Sequence, residues 1–507
     1  MSSLRSLLLR VAALLAGALL AGCAQLPSLE GRSVSTAATD TAGTRLGQAL
    51  APQLRAHPGL AGVLPLAGGH DAFAARATLA QAAERTLDIQ YYIWRDDLSG
   101  SLLFDAVQRA ADRGVRVRLL LDDNNTVGLD ERLRAMDAHP QIEVRLFNPF
   151  AHRGARLLDY LGDFSRVNRR LHNKSFTADN QVTVIGGRNV GDEYFAAGQG
   201  TLFLDLDVLA VGAVVQAVSA DFDRYWASES AYPIDRLAPP GASGRVRPAI
   251  AAESVDQYRE AIARSTFVRD LLANRLPFEW APARLISDDP LKALGRAQGS
   301  GHLWTQLQQA VPRPTRELLL VSPYFVPMAV GAEFLTGLAA QGVQVRVVTN
   351  ALEATDVPAV HSGYARWREP LLAGGVSLYE LNRAAASPAP PDRGFAGSSA
   401  SSLHAKVFVI DRQRLFVGSF NFDPRSARLN TELGFVIDSP ALAGALADRA
   451  SASLPERTYR VQLQDGKLQW TEQHDGTHRV YDRDPNTSWL LRFGVSLMSL
   501  LPIDDLL

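Results

Sequence analysis

His172 and Lys174 stand two residues apart in LHNKSFTADNQVTVIGGRN, residues 171–189, and the same spacing returns at His404 and Lys406 in LHAKVFVIDRQRLFVGSFN, residues 403–421. In each stretch an aspartate follows seven residues after the histidine (Asp179, Asp411), a small residue fifteen after it (Gly187, Ser419) and an asparagine seventeen after it (Asn189, Asn421). Residues two apart in an extended strand face the same side, so each histidine and lysine project together. A turn at the aspartate would send back a second strand, VTVIGG or LFVGSF, and carry the asparagine alongside them.

Two imidazoles, two ammonium groups and two amides suit a phosphodiester. The lysines and amides can bind the non-bridging oxygens, whose charge grows in the transition state. One imidazole can attack phosphorus while the other protonates the leaving oxygen. The nucleophilic ring then needs an acid on its other nitrogen to fix its tautomer. Asp205 lies 33 residues after His172, with Asp207 on the same strand face, and Glu432 lies 28 after His404. The reading pairs each histidine with the acid of its own half, His172 with Asp205.

These residues need a scaffold that repeats, and the pattern supplies one. FAARATLAQAAERT reads as a helix, LDIQYYIW as a buried strand, LLFDAVQRAADRG as a helix and VRVRLLLDD as a strand. GHLWTQLQQAV, RELLLVSPYFVP, FLTGLAAQG and VQVRVVTN restate this order. Gly342 follows Gly114 by 228 residues, and His404 follows His172 by 232. A shared offset across a whole unit indicates duplication. The expected fold is α/β, with two pseudo-symmetric domains and the site at their interface.

The paired His-x-Lys-x4-Asp motifs resemble those of the phospholipase D superfamily. That resemblance implies a metal-free mechanism without a cofactor, with His172 as nucleophile and His404 as general acid. It also implies that Asp179 and Asp411 brace turns, and that Asp205 and Glu432 orient the histidines. Gly187 in place of Ser419 implies one hydroxyl contact fewer in the first copy. More narrowly, LDIQYYIWRDDLSGSLL, VSPYFVP, TDVPAVHSGYARWREPLL and SWLLRFGVSLMSLLPIDDLL resemble cardiolipin synthase C-type lipoproteins. This implies phosphatidyl transfer to phosphatidylglycerol, with phosphatidylglycerol or phosphatidylethanolamine as donor. Hydrolysis to phosphatidic acid and a periplasmic nuclease are the alternatives within the same chemistry. A tethered binding module is the alternative outside it.

A net charge of −1 over 507 residues, with 47% hydrophobic and 21% charged content, provides no global field for nucleic acid. Membrane phospholipids are the expected partners. At the N-terminus, Arg5 and Arg10 precede an apolar run from Val11 to Ala21, like a secretory signal. Leu20-Ala21-Gly22-Cys23 resembles a bacterial lipobox, which implies cleavage before Cys23 and its diacylation. Cys23 is the only cysteine, which excludes an internal disulfide. Ala24 after it favours the outer membrane, by resemblance to enterobacterial sorting.

The expected division is a signal peptide over 1–22, an anchored tether over 23–60, a first domain over 61–270, a linker over 271–300, a second domain over 301–460 and a C-terminal hairpin and interfacial helix over 461–507. Ser28 to Thr44, small and polar, reads as flexible. The run AAASPAPPDRGFAGSSASS before Leu403 reads as a lid. Arg153, Arg156, Arg166, Arg169 and Arg170 could draw anionic headgroups, while His361 and Tyr364 are candidates for the pocket wall or the core.

Overall fold

The computed structural model describes residues 25–197, 202–238, 252–264, 267, 269, 270, 275–383, 401–474 and 476–501. The signal segment 1–22, Cys23 and most of the expected lid, 384–400, lie outside the described residues.

Duplication is written into the sheets. The first sheet runs in the spatial order Ala61–Leu66, Asp207–Gly212, Val182–Gly186, Ser175–Ala178, Thr86–Tyr91, Arg116–Asp122, Ile142–Phe147. The second runs Ala283–Ser287, Leu433–Asp438, Arg414–Gly418, Val407–Ile410, Glu317–Val321, Gln344–Asn350, Ser377–Leu381. In each, the last three strands are parallel and the others antiparallel. Both faces of the parallel strands are covered: Thr86–Tyr91 is buried throughout, and its Asp88 is paired with the buried Arg118 of the next strand.

Helices Gly69–Ala82 and Leu98–Asp112 cover one face of the first sheet, and Leu303–Ala310 and Met328–Ala340 cover the matching face of the second. Leu98–Asp112 starts where the Asp97 carboxylate accepts from Gly100 N at 2.9 Å and stops before Gly114, whose φ of +93° suits glycine. The two remaining faces meet. Ile185, Val208 and Ala210 share one apolar core with Val407, Val417 and Phe435. Burying this seam joins the halves through the hydrophobic effect rather than through a linker.

Short backbone ladders lock the register across the seam. Ser401–Leu403 runs parallel to Leu202–Leu204, and Leu171 bridges Thr431. His404 N donates to Leu204 O at 2.8 Å and His172 N to Thr431 O at 2.9 Å. Each histidine is therefore held by the backbone of the other domain.

The segment expected as a linker gives a strand to each sheet, Glu279–Ala281 to the first and Ala283–Ser287 to the second. Ala283–Ser287 fills the place that Ala61–Leu66 holds in the first sheet, and Glu279–Ala281 adds a strand beyond Ala61–Leu66. The C-terminal hairpin, Lys467–His474 with Thr477–Tyr481, likewise extends the second sheet through Thr458–Gln464. The expected flexible tether is also corrected. Residues 32–38 lie along the first domain, with Arg32 donating to Ser228 O at 2.7 Å, Arg118 to Ser35 O at 2.9 Å and Asn180 to Ala38 O at 3.1 Å. Hydrogen bonds from the domain hold this stretch, which is why it carries no apolar period. Helix Trp489–Met498 packs on Pro358–Ala365 through Val495 but leaves Trp489, Leu490, Phe493 and Leu497 more than half exposed. Among the described residues no helix is long and apolar enough to cross a membrane.

The motif aspartates make matching turns. Asp179 and Asn180 take φ of 52° and 51°, and Asp411 and Arg412 take 53° and 56°. The Asp179 carboxylate accepts from the backbone N–H of Glu84, Arg85 and Thr86, and Asp411 from those of Thr315, Arg316 and Glu317. Both tie the turn to the start of the neighbouring parallel strand. Asp179→Ala should lower the unfolding free energy by about 3 kcal/mol, because three N–H groups lose their acceptor in a buried turn. Asp411→Ala should cost less, because its turn is closer to solvent. Urea unfolding of the two variants checks the order.

Candidate active site

The strands that carry the motifs end at the seam, and there the two halves of the site meet. His172, Lys174, His404 and Lys406 are all buried. His172 Nδ1 lies 2.8 Å from Glu432 Oε2, and His404 Nδ1 lies 2.6 Å from Asp205 Oδ2. This corrects the expected pairing: each histidine takes its acid from the other domain. The reason is the cross-seam ladder. Asp205 directly follows Leu202–Leu204, which pairs with the residues before His404, and Glu432 directly follows Thr431, which bridges the residue before His172. Near a pseudo-two-fold axis, sequence separation cannot distinguish a partner on the same half from one on the other.

His404 Nδ1 is also 3.0 Å from Lys406 Nζ. The shorter contact to the carboxylate puts the proton on Nδ1, and both rings keep Nε2 for substrate. Lys174 Nζ donates to His172 O at 2.6 Å, and Lys406 Nζ donates to His404 O. Aromatic rings brace the imidazoles: Tyr92 stands edge-on to His172 at 5.0 Å, and Tyr194 and Phe203 pack on His404 at 5.2 and 5.0 Å.

The asparagines differ between the halves. Asn189 Nδ2 donates to Tyr194 OH at 3.0 Å and its Oδ1 accepts from Ile93 N at 3.2 Å, so one amide hydrogen is left for a ligand. Asn421 Oδ1 is buried without a hydrogen-bond partner. The small residues differ too. Ser419 Oγ donates to Glu432 Oε2 and accepts from Leu433 N at 3.0 Å. A Cβ built on Gly187 would lie 2.1 Å from Asp205 Oδ1, so the carboxylate occupies the space a serine would need. Oδ1 accepts instead from Leu206 N at 2.7 Å.

Two buried ionic clusters hold the acids. Arg188 donates to Asp205 O at 2.7 Å and lies 3.5 Å from Asp207, which also takes Arg76 at 2.8 Å. On the other half Asp288 accepts from Glu432 N at 2.9 Å and from Lys292 Nζ at 2.8 Å, while Lys292 also donates to Ser426 O at 2.8 Å. Sequence reasoning missed both clusters. Arg188 sits inside the first motif but Phe420 replaces it in the second, and Asp288 and Lys292 lie outside both motifs. Tyr92 could have been found, since Tyr324 repeats it at the motif's own offset of 232.

The basic run before His172 is structural. Arg153 pairs with Asp123 and Asp130, Arg156 with Asp123, Arg166 with Asp163 and Arg170 with Asp122, while Arg169 donates to Arg428 O at 3.0 Å. His361 and Tyr364 belong to the core, where Arg368 Nη2 lies 2.9 Å from His361 Nε2 and Tyr364 OH donates to Glu380 at 2.9 Å.

The electrostatics are those of charges taken out of water. Burial, with Lys174 and Lys406 nearby, holds His172 well below the usual histidine range. Burial and Lys406 also lower His404, against the opposing pull of Asp205. Burial brings Lys174 down to about 7 and Lys406 down to about 8. The acids diverge. Burial pushes Glu432 up to about 7, against the attraction of Lys174. Burial also works against the charge on Asp205, but His404 and Lys406 outweigh it and hold that carboxyl below the usual carboxylate range.

Gly187→Ser tests this geometry. The added atoms must displace Asp205 and break its contact with His404, so turnover of a phosphodiester substrate should fall about 100-fold or more. Ser419→Ala removes one hydrogen bond to a carboxylate and should cost only about tenfold. Rates measured alongside thermal unfolding distinguish this from a loss of fold.

The comparisons with known proteins agree with the duplicated site. A family model described as cardiolipin synthase, PLD-like domain, matches residues 76–226 and again 304–452. The chain is 48% identical to cardiolipin synthase C of Escherichia coli (strain K12), over 91% of this chain and 100% of that one. It is 27% identical to a cardiolipin synthase of Geobacillus kaustophilus, over 73% of this chain and 61% of that one. Among solved structures, phosphatidylserine synthase from Haemophilus influenzae Rd KW20 shares the fold, with a TM-score of 0.55 at 13% identity over 91% of this chain and 100% of that one. Matched in both halves and aligned along nearly its whole length, the chain belongs to the cardiolipin synthase family of phospholipase D-like proteins.

Proposed function

We propose that the protein is a phosphatidyltransferase that makes cardiolipin through a phosphohistidine intermediate. The observation that carries this reading is the pair of cross-domain histidine–carboxylate contacts, flanked by two buried lysines. His172, kept neutral by burial, offers the Nε2 lone pair to the phosphorus of a donor phospholipid. The bond from phosphorus to the headgroup oxygen breaks, and His404, entering the step as the imidazolium with Nδ1–H on Asp205, gives its Nε2 proton to that oxygen. Lys174 and Lys406 neutralise the non-bridging oxygens as their charge grows. The hydroxyl of an acceptor phosphatidylglycerol then attacks the phosphatidyl-histidine, returns a proton to His404 and restores His172. With phosphatidylglycerol as donor, free glycerol leaves; with phosphatidylethanolamine, ethanolamine leaves.

The unequal acids support this division of labour. Asp205, held ionised, stabilises the positive ring that a general acid needs, so it suits His404. Glu432 gains its charge near neutrality and stabilises His172 as that ring becomes positive on bonding to phosphorus. The protein works at a membrane, where its lipid substrates are. Anchoring through a diacylated Cys23 at the outer membrane, facing the periplasm, is part of the proposal.

Purified protein given phosphatidylglycerol, with and without phosphatidylethanolamine, should yield cardiolipin by mass spectrometry. Phosphatidic acid alone would assign hydrolysis instead. His172→Ala and His404→Ala should each lower turnover about 10⁴-fold or more, and substantial turnover in both would remove the catalytic assignment. The pH profile of kcat/KM reports the free enzyme. It should fall as pH rises, first as His404, held below the usual histidine range by burial and Lys406, loses the proton it must give, and again through about 7 to 8 as Lys174 and Lys406 lose the charge that holds phosphate. An exposed lysine would stay charged beyond pH 9. The acid limb should lie below the ordinary histidine range, because His172 must be neutral to attack.

A further inference from the structure

We propose that a groove on the second domain holds one acyl chain of the phospholipid being cleaved; this rests on the phosphatidyltransferase reading and deepens it. Two adjoining cavities, of about 250 and 550 Å³, share Trp304, Gln308, Phe334 and Phe422 and so form one trough. It lies over the second sheet, between Leu303–Ala310 and Met328–Ala340.

The floor of the trough is built from the same strands as the site. Phe408 follows Lys406 by two residues, and Phe420 and Phe422 flank Asn421. The trough ends at Asp423 and Pro424, immediately beyond Phe422, so it begins beside the catalytic motif. Charged side chains stand only at its ends, Arg313 at one and Asp423 and Arg428 at the other. A long apolar middle with a polar end next to a phosphate site matches an amphiphile whose phosphate is already bound.

The two halves of the duplication show why the space exists here. In the first domain Trp94 stacks on Phe104 at 4.5 Å and fills this region. Phe325 takes the matching position in the second copy, bridging Phe422 as Trp94 bridges Val190, but its smaller ring packs against Tyr364 at 5.7 Å and does not line the trough. The covering helix is also shorter, 8 residues against 14 for Gly69–Ala82. Val330, 80% exposed, marks the open rim by which a chain could enter from a lipid surface. Water gains little from such a lining, whereas each methylene placed there leaves water.

Filling the trough without adding charge tests the proposal. Thr305→Trp and Gln308→Trp place indoles into it from an outer helix and touch no catalytic residue. kcat/KM of the full chain is measured with long-chain and with dihexanoyl phosphatidylglycerol in the same detergent micelles. The expected result is a loss of about tenfold or more with the long-chain lipid and an unchanged rate with the short one. The short-chain rate also reports the fold. Equal losses on both lipids, or no loss on either, would overturn the groove. So would a change in oligomeric state with both rates intact, which would assign the trough to a second copy of the chain. A wild-type protein that turns over neither lipid would instead remove the phosphatidyltransferase reading beneath it.

Discussion

Two histidine–carboxylate contacts across the domain seam set the terms for everything around them. His172 with Glu432 and His404 with Asp205 bury charge that neither domain could satisfy alone. Ionised groups removed from water are costly unless a partner is held at close range. The seam must therefore be rigid, and apolar burial between the sheets together with the ladders at Leu202–Leu204 and Thr431 makes it so. Fold and site are one problem here, since the contacts that align the sheets also place the acids.

Supporting groups differ between the halves even though the frame repeats. Asp205 is held by Arg188 through its backbone and crowds Gly187; Glu432 is held by Asp288 through its backbone and by Ser419 through its side chain. A duplicated domain can keep strand order under selection for packing while the surroundings of each acid drift apart. The result is a pair of carboxyl groups whose environments push their affinities for protons in opposite directions. Unequal environments are how like residues take unlike roles in acid–base chemistry.

The same divergence shapes the covering layer. An indole stacks on Phe104 at Trp94 in the first copy, whereas Phe325, its counterpart in the second, turns to Tyr364 and leaves the trough unfilled. Symmetry gives the site two imidazoles and two ammonium groups around one phosphate. Departure from symmetry distinguishes where the rest of a lipid can lie.

Much was legible in the chain itself, because strand periodicity and a repeated offset are local properties. The spacing His172, Lys174, Asp179 and its echo at His404, Lys406, Asp411 determined the strand–turn–strand units, the two α/β halves and the phosphodiester chemistry. Asp205 and Glu432 were visible as acids. Only the tertiary structure decided which acid serves which histidine, because the answer depends on a crossing between residues 199 and 260 positions apart. It also decided that the basic run before His172 is spent on internal carboxylates and, at Arg169, on backbone carbonyls, that residues 32–38 are bound to the first domain, and that Asp288 and Lys292 stand behind Glu432. Those are long-range, unrepeated contacts between polar groups. A sequence pattern records period and spacing, whereas the partner of a buried charge is settled by which surfaces close on it.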